Sequence, residues 1–212
     1  MQLVIISDNK IFPGEADVLN QLFDAGMPLF HLRKYENSKT EIIELLEQVK
    51  PEHYSKIAIH QYHEKAGEFD FKRIHFSETD RLQQTEKQLQ RLEEEGFILS
   101  TSVHSVEVYK GLSNVFEYAF LGPVFDSISK FGYKARKFDL KEKNPNVKVI
   151  ALGGITADNY KDAITMGFDG VGVLGSIWNS GNQVEALKKI AQIFRVSDFG
   201  SAQSPEIIIE EK

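Results

Sequence analysis

The stretch Tyr118-Ala-Phe-Leu-Gly-Pro-Val-Phe-Asp-Ser-Ile-Ser-Lys130 passes from an apolar segment through Gly122-Pro123 into a loop with two hydroxyls and an ammonium, Ser127, Ser129 and Lys130. Hydroxyl donors beside a lysine, presented just past the carboxyl end of a strand, suit a phosphate or diphosphate. Further on, Val149-Ile-Ala-Leu-Gly-Gly-Ile155 repeats the theme with the pair Gly153-Gly154, and Gly170-Val-Gly-Val-Leu-Gly-Ser-Ile177 repeats it again around Leu174-Gly175. Three consecutive strand ends with anion-compatible groups predict a phosphorylated substrate. The ends of the other apolar runs carry Ser7/Asp8, His31/Arg33, His60/Gln61, Ser77/Asp80 and Ser102/His104. This set is rich in cations and hydroxyls and poor in carboxylates. Phosphate capture and electrostatic stabilisation of a leaving group therefore fit it better than a paired acid and base.

Plainer roles compete at several positions. Gly153-Gly154 serves equally well as a tight strand-to-helix turn, and Ser127, Ser129 and Lys130 as solvated loop residues. Arg33 has Glu36 and Asp8 as candidate ion-pair partners. Asp80 divides evenly between capping a helix and holding a ligand. His60, His63, His75 and His104 match no compact metal-ligand spacing, so surface or satisfied-core histidines are expected.

These groups need a scaffold that brings strand ends together. Short runs rich in Val, Ile, Leu and Phe recur at 3–7, 29–33, 56–60, 73–76, 97–102, 118–122, 147–152 and 170–174. Several are continuously apolar, as parallel strands covered on both faces require. Helical patterns lie between them at 15–25, 41–49, 83–95, 156–165 and 182–194, with shorter crossovers at 62–67 and 107–112. The segment 130–147 is basic and aperiodic and reads as loop. Eight strand–crossover units without a break in composition predict a (β/α)8 TIM barrel, a single α/β domain over residues 1–196, with 197–212 as a tail. A doubly wound open sheet is the alternative, disfavoured by the eighth strand and by the lack of an early Gly-x-Gly-x-x-Gly. Within the tail, Ile207-Ile-Ile209 is unusually apolar.

A chain of 212 residues with 42% apolar and 26% charged residues fits one domain with a substantial core. Its formal charge of −6 argues against a nucleic-acid partner, and the lack of cysteine excludes disulfides and thiolate chemistry. No run reaches bilayer-spanning length, and the start lacks a signal-peptide pattern, so no membrane partner and a cytoplasmic location are expected.

Taken in order, Ile5-Ile-Ser-Asp8, His31-Leu-Arg33, Ile98-Leu-Ser-Thr-Ser-Val-His-Ser105, Leu121-Gly-Pro-Val-Phe125, Ser127-x-Ser-Lys130, Ala151-Leu-Gly-Gly-Ile-Thr-x-Asp-Asn159 and Gly167-Phe-Asp-Gly170 resemble thiamine-phosphate synthase, whose barrel the thiazole tautomerases share. The resemblance runs from Met1 to about Ile177, is thin between Lys34 and Thr79 and is strong from Ile98 onward. It implies a transferase of thiamine biosynthesis that couples a phosphorylated pyrimidine to a phosphorylated thiazole with Mg2+ assistance. Positions matching the family's diphosphate contacts are Arg33, Ser102 and Lys130, with Arg33 and Lys130 in the catalytic role. Ser127 and Ser129 stand where the family has Thr-x-Thr, and Gly153, Gly154, Leu174 and Gly175 match its thiazole-phosphate cradle. Asp80 matches one magnesium carboxylate.

The chain departs from the pattern where His31 replaces Gln, Tyr35 holds the lysine position with Lys34 one residue early, and His60-Gln61 replaces Asn-Asp, removing a second carboxylate. The magnesium site is therefore expected to be weakened. The tautomerase branch carries a catalytic His where this chain has Pro123, which counts against that reading but leaves His104 or His31 as substitutes. A regulatory barrel that binds thiamine-related phosphates without turnover is the third reading, and pairing into a homodimer is compatible with a barrel of this size.

Overall fold

The computed structural model describes residues 1–126 and 135–198. The eight apolar runs form eight strands: β1 Gln2–Ile6, β2 Phe30–Leu32, β3 Ile57–Ile59, β4 Arg73–Phe76, β5 Ile98–Val103, β6 Phe116–Leu121, β7 Lys148–Leu152 and β8 Gly170–Val173. Each pairs in parallel with the next, and β8 returns to β1 with Gln2 opposite Gly170 and Ile5 opposite Val173, closing the barrel. The fold is thus the expected single-domain (β/α)8 barrel, and closure removes every sheet edge.

The helices are α1 Glu15–Asp24, α2 Lys39–Glu47, α3 Glu78–Leu82, α4 Glu86–Glu94, α5 Val106–Lys110, α6 Tyr160–Thr165, α7 Gly175–Trp178 and α8 Gln183–Asp198. Short 3-10 turns at Pro51–Lys56 and His63–Lys65 complete the crossovers around β3. Apolar residues at helical spacing explain which faces turn inward. Leu19, Leu22 and Phe23 of α1 and Ile42, Leu45 and Leu46 of α2 are buried against the barrel wall. Each such side chain contributes about 1.5–3 kcal/mol.

The helix expected over 83–95 is α4, which begins at Glu86, and a separate short helix, α3, precedes it. Ser77 caps α3 by accepting from the Asp80 amide, and Thr85 caps α4 through a reciprocal box with Gln88. A Thr at the junction that satisfies the amides of a new helix ends the old one. Asp80 is therefore not a cap; it lies inside α3, and its carboxylate accepts from the Ser77 hydroxyl at 2.6 Å. The helix expected from Thr156 begins at Tyr160, because the Asn159 side chain accepts from the Thr156 amide and holds 156–159 in a turn. α8 runs to Asp198, two residues into the segment expected as a tail; Ile207–Ile209 lies outside the described residues.

Two apolar layers follow from the alternation of strand side chains. The larger fills the space between strands and helices. The smaller lies inside the barrel and comprises Val4, Ile6, Leu29, Tyr118, Phe120 and Ile150. In β2, Phe30 and Leu32 join the outer layer, while His31 turns inward to meet Tyr118 and Phe120. The inner wall is consequently divided. On one side β1, β6 and β7 supply hydrocarbon and aromatic rings; on the other, β2 to β5 supply His31, His60, His75, Ser100 and Ser102.

Candidate active site at the carboxyl-terminal rim

At the end of β2 the Ser7 hydroxyl donates to the Arg33 carbonyl (2.9 Å) and accepts from the Arg33 amide (2.8 Å), which fixes the residue's backbone against β1. The Arg33 guanidinium lies 5.0 Å over the centre of the Tyr35 ring. Among the described residues it makes no ion pair, so the partners considered from sequence, Glu36 and Asp8, are both set aside. Glu36 accepts from the Asn9 side chain, and Asp8 from the Asn9 amide. A half-buried guanidinium braced by an aromatic face and free of carboxylates remains available to an anion. Tyr35, read from sequence only as a lost lysine, is that brace.

Lys34 does something else. Its ammonium is fully buried 2.6 Å from the Glu15 carboxylate and also donates to the Lys10 carbonyl. Burial pushes the Glu15 carboxyl up and the Lys34 ammonium down, and each is opposed by the other's charge. The pair locks the β2 end to the start of α1.

Asp80 stands half-buried at the mouth. The Gln61 side-chain oxygen accepts from the Lys34 amide at 3.2 Å, which ties it to the backbone of the β2 end. Among the described residues Asp80 belongs to no group of three potential metal ligands. The donors present fit Mg2+ only as one carboxylate completed by substrate phosphates and water, an arrangement that ion commonly accepts.

At β7 and β8 the backbone dominates. Gly153 and Gly154 have φ of +98° and +66°, and a Cβ on Gly154 would meet the Asp126 carbonyl at 2.5 Å. Such closeness arises because Val124 and Phe125 continue from β6 alongside this turn, donating to the Leu152 and Gly153 carbonyls. The Ser176 hydroxyl donates to the Ile155 carbonyl at 2.6 Å, and the Asn159 side chain donates to the Gly154 carbonyl at 2.8 Å. These bonds hold the β7 turn against the start of α7, and the amides of Gly154, Ile155, Gly175 and Ser176 donate to no acceptor among the described residues. Free amides after strands seven and eight are where barrels of this kind hold phosphate. The helix α7, absent from the sequence-based expectation, is too short to show a period; the signal for it was Gly175-Ser176 after a strand.

Ser102, at the end of β5, has its hydroxyl 3.0 Å from His75 Nε2. Ser127, Ser129 and Lys130 lie outside the described residues. The residues flanking them are pinned, since the Ala135 amide donates to Asp126 Oδ1 (2.7 Å) and the Arg136 amide to the Pro123 carbonyl (3.0 Å).

The histidines are only partly as expected. His60 and His75 are satisfied core residues, but they form one buried group with His31, which the sequence had placed at the rim. His31 is bonded to His60 (2.9 Å) and to the Tyr118 hydroxyl (2.6 Å) and is fully buried, so it has no access to a substrate at the mouth. Burial holds the His31 and His60 imidazoles well below their ordinary range, and that of His75 at about 3, with nearby positive groups adding to the effect. His104 is exposed beside the Gly122 carbonyl.

A closed parallel barrel with an arginine on one arc of its rim, and on the other glycine-turn amides unpaired among the described residues, offers donors of the kind that suit phosphorylated ligands. Comparison with known proteins makes this specific. The profile of the family described as thiamine monophosphate synthase matches residues 3–177, and the chain belongs to that family. A thiamine-phosphate synthase of Geobacillus thermodenitrificans is 26% identical over 203 residues, covering 89% of each chain. One from Staphylococcus haemolyticus is 27% identical over 196 residues, covering 84% of this chain and 88% of its own. The crystal structure of thiamine phosphate pyrophosphorylase from Bacteroides thetaiotaomicron superposes with a TM-score of 0.74 at 25% identity, covering 95% of this chain and 100% of the other. Family and fold together make the chain an enzyme of the transferase class in thiamine biosynthesis. No helix among the described residues is long and apolar enough to cross a membrane.

Proposed function

We propose that this chain joins hydroxymethylpyrimidine diphosphate to a thiazole phosphate, releasing thiamine phosphate and diphosphate. The observation that supports this most is the set of free amides at Gly154–Ile155 and Gly175–Ser176, fastened together by the Ser176 hydroxyl. They give a dianionic phosphate fixed donors that need no reorganisation. On the opposite arc Arg33 and Ser102 take the diphosphate, and the resemblance assigns Lys130 to the same group.

The reaction balances without a protein acid or base. The bond from the pyrimidine's methylene carbon to the diphosphate oxygen breaks, and its electron pair leaves with the diphosphate. The thiazole nitrogen then gives its lone pair to the carbon. A path of this kind asks for stabilisation of developing negative charge, which Arg33 and Lys130 supply. It also asks that the two halves be held in line, which the two arcs accomplish. Asp80 would hold Mg2+, and the bound ion would supply further positive charge to the departing diphosphate.

Incubating the purified chain with both phosphorylated halves, with and without Mg2+, tests the reading. It predicts equal amounts of thiamine phosphate and diphosphate, with neither formed when either half is omitted. Interconversion of thiazole carboxylate phosphate tautomers without coupling, or binding without any turnover, would contradict it. Lys130→Ala should slow coupling by about two to three powers of ten, and an unchanged rate would remove Lys130 from the mechanism.

A further inference from the structure

The proposed chemistry leaves the buried histidines of the barrel wall without a role. Side by side, β2, β3 and the following β4 bring His31, His60 and His75 into the interior, where one nitrogen from each lies within 4.8 Å of the others. We propose that these three imidazoles form a binding site for a divalent transition ion of the zinc type, beneath the rim and distinct from the Asp80 position.

Geometry carries the argument. With Zn–N bonds near 2.0–2.1 Å, three imidazoles around a tetrahedral ion place their ring centres about 5 Å apart. The centres of His31 and His60, and of His31 and His75, are each 5.1 Å apart. The stacked His60–His75 pair, at 4.1 Å, has to open, and the 2.9 Å contact of His31 Nδ1 with His60 Nε2 has to widen to about 3.3 Å. Such opening is a rotation of side chains at the upper end of the wall, where His60 is 6% exposed and His75 adjoins the half-buried Ser102.

Partners beyond the ligands are also in place. Nε2 of His31 contacts the Tyr118 hydroxyl at 2.6 Å and Nδ1 of His75 contacts Ser100 at 2.9 Å, so the ion would take His31 Nδ1 and His75 Nε2 in place of their present bonds to His60 and Ser102. Orientation of a ligating imidazole by a bond at its other nitrogen is the usual arrangement. A water completes the fourth position, as in three-histidine sites generally. Because burial keeps all three imidazoles neutral near neutral pH, their lone pairs are available without proton release. Among the described residues no carboxylate joins the group, so neutral nitrogens alone select the ion, favouring zinc, cobalt, nickel or copper over magnesium and calcium.

The test uses chelator-treated whole protein titrated with Co2+. The expected result is one equivalent bound, with the intense visible bands of tetrahedral cobalt, displaced by one equivalent of Zn2+. Replacing His31 or His75 by Gln should weaken Co2+ binding beyond the tenfold to hundredfold typical of lost outer partners, whereas Asp80→Asn should leave the bands unchanged. Should either histidine variant fail to fold, X-ray absorption of the zinc-loaded unaltered protein decides, with imidazole nitrogens at about 2.0 Å expected. Absence of stoichiometric tetrahedral bands, bands that survive in both histidine variants, or absorption without imidazole scattering would each overturn the proposal. The three rings would then serve only as a hydrogen-bonded filling of the barrel.

Discussion

Arg33 shows how far one residue can be read in isolation. An arginine at the end of an apolar strand invites the expectation of a structural ion pair. Instead, its backbone is held by the Ser7 hydroxyl and its guanidinium by the Tyr35 ring. Arg33→Lys preserves the charge but loses both the flat stack and the forked donors. It should therefore retain only part of the activity, while Arg33→Ala should lower kcat/KM by about two to three powers of ten. Equal and near-normal rates in both variants would remove Arg33 from the site. Gly154 presents the opposite case, a residue whose value lies in having no side chain. At φ +66° and with carbonyl oxygen where a Cβ would stand, Gly154→Ala must displace either the turn or the Asp126 backbone. It should raise KM for the phosphorylated thiazole several-fold and lower the melting temperature. The glycine pair was legible as a special backbone position, but the crowding by Phe125 and Asp126 comes from a neighbouring strand end and leaves no local mark.

Among the elements, strands were far more legible than the breaks between helices. A strand covered on both faces shows as an apolar run, and all eight runs became strands. The division of α3 from α4 rests on Ser77 and Thr85 capping, and a charged stretch with few apolar residues offers little periodicity against which to see it. The histidine group was hidden for another reason. Spacing motifs detect ligands on one helix or loop, whereas His31 and His75 lie in β2 and β4 and His60 just past β3. The available clue was the repeated placement of a histidine within or just after an apolar run. The junction of β2 with α1 supplies a stability test. Replacing Glu15 by Gln, or Lys34 by Met, leaves one buried charge without its partner and should cost about 3–5 kcal/mol. Replacing both with apolar residues of similar size should recover most of that loss. Urea unfolding of the two single variants and the double variant measures this directly, and losses that simply add would contradict the pairing.

At the scale of the whole molecule, closure of the barrel divides the rim and the wall alike. The polar arc of β2 to β5 carries Arg33 and Asp80 at its rim and the imidazoles with Ser102 in its wall, and the arc of β7 and β8 carries the glycine-turn amides. The imidazoles also set a dependence of stability on pH. Their folded-state values lie well below the ordinary 6.5, to about 3 for His75, so between those limits the unfolded chain binds more protons than the folded one. The stability they supply is complete above about pH 6.5 and is lost as pH falls toward 3, at about 1.4 kcal/mol per pH unit for each proton taken up on unfolding. Chelator-treated protein should therefore show a urea midpoint that is level above neutrality and declines from pH 6.5 to 5. A midpoint constant over that range would mean the imidazoles are not buried and neutral.

The division of the rim between two phosphorylated halves is tested most directly by initial-rate kinetics with both substrates varied, on the unaltered chain, Arg33→Ala and Gly154→Ala. The account predicts that Arg33→Ala impairs use of the pyrimidine diphosphate and leaves KM for the thiazole phosphate close to its original value, while Gly154→Ala does the reverse. Variants that affect both substrates alike, or a chain that forms no thiamine phosphate from the two, would contradict it.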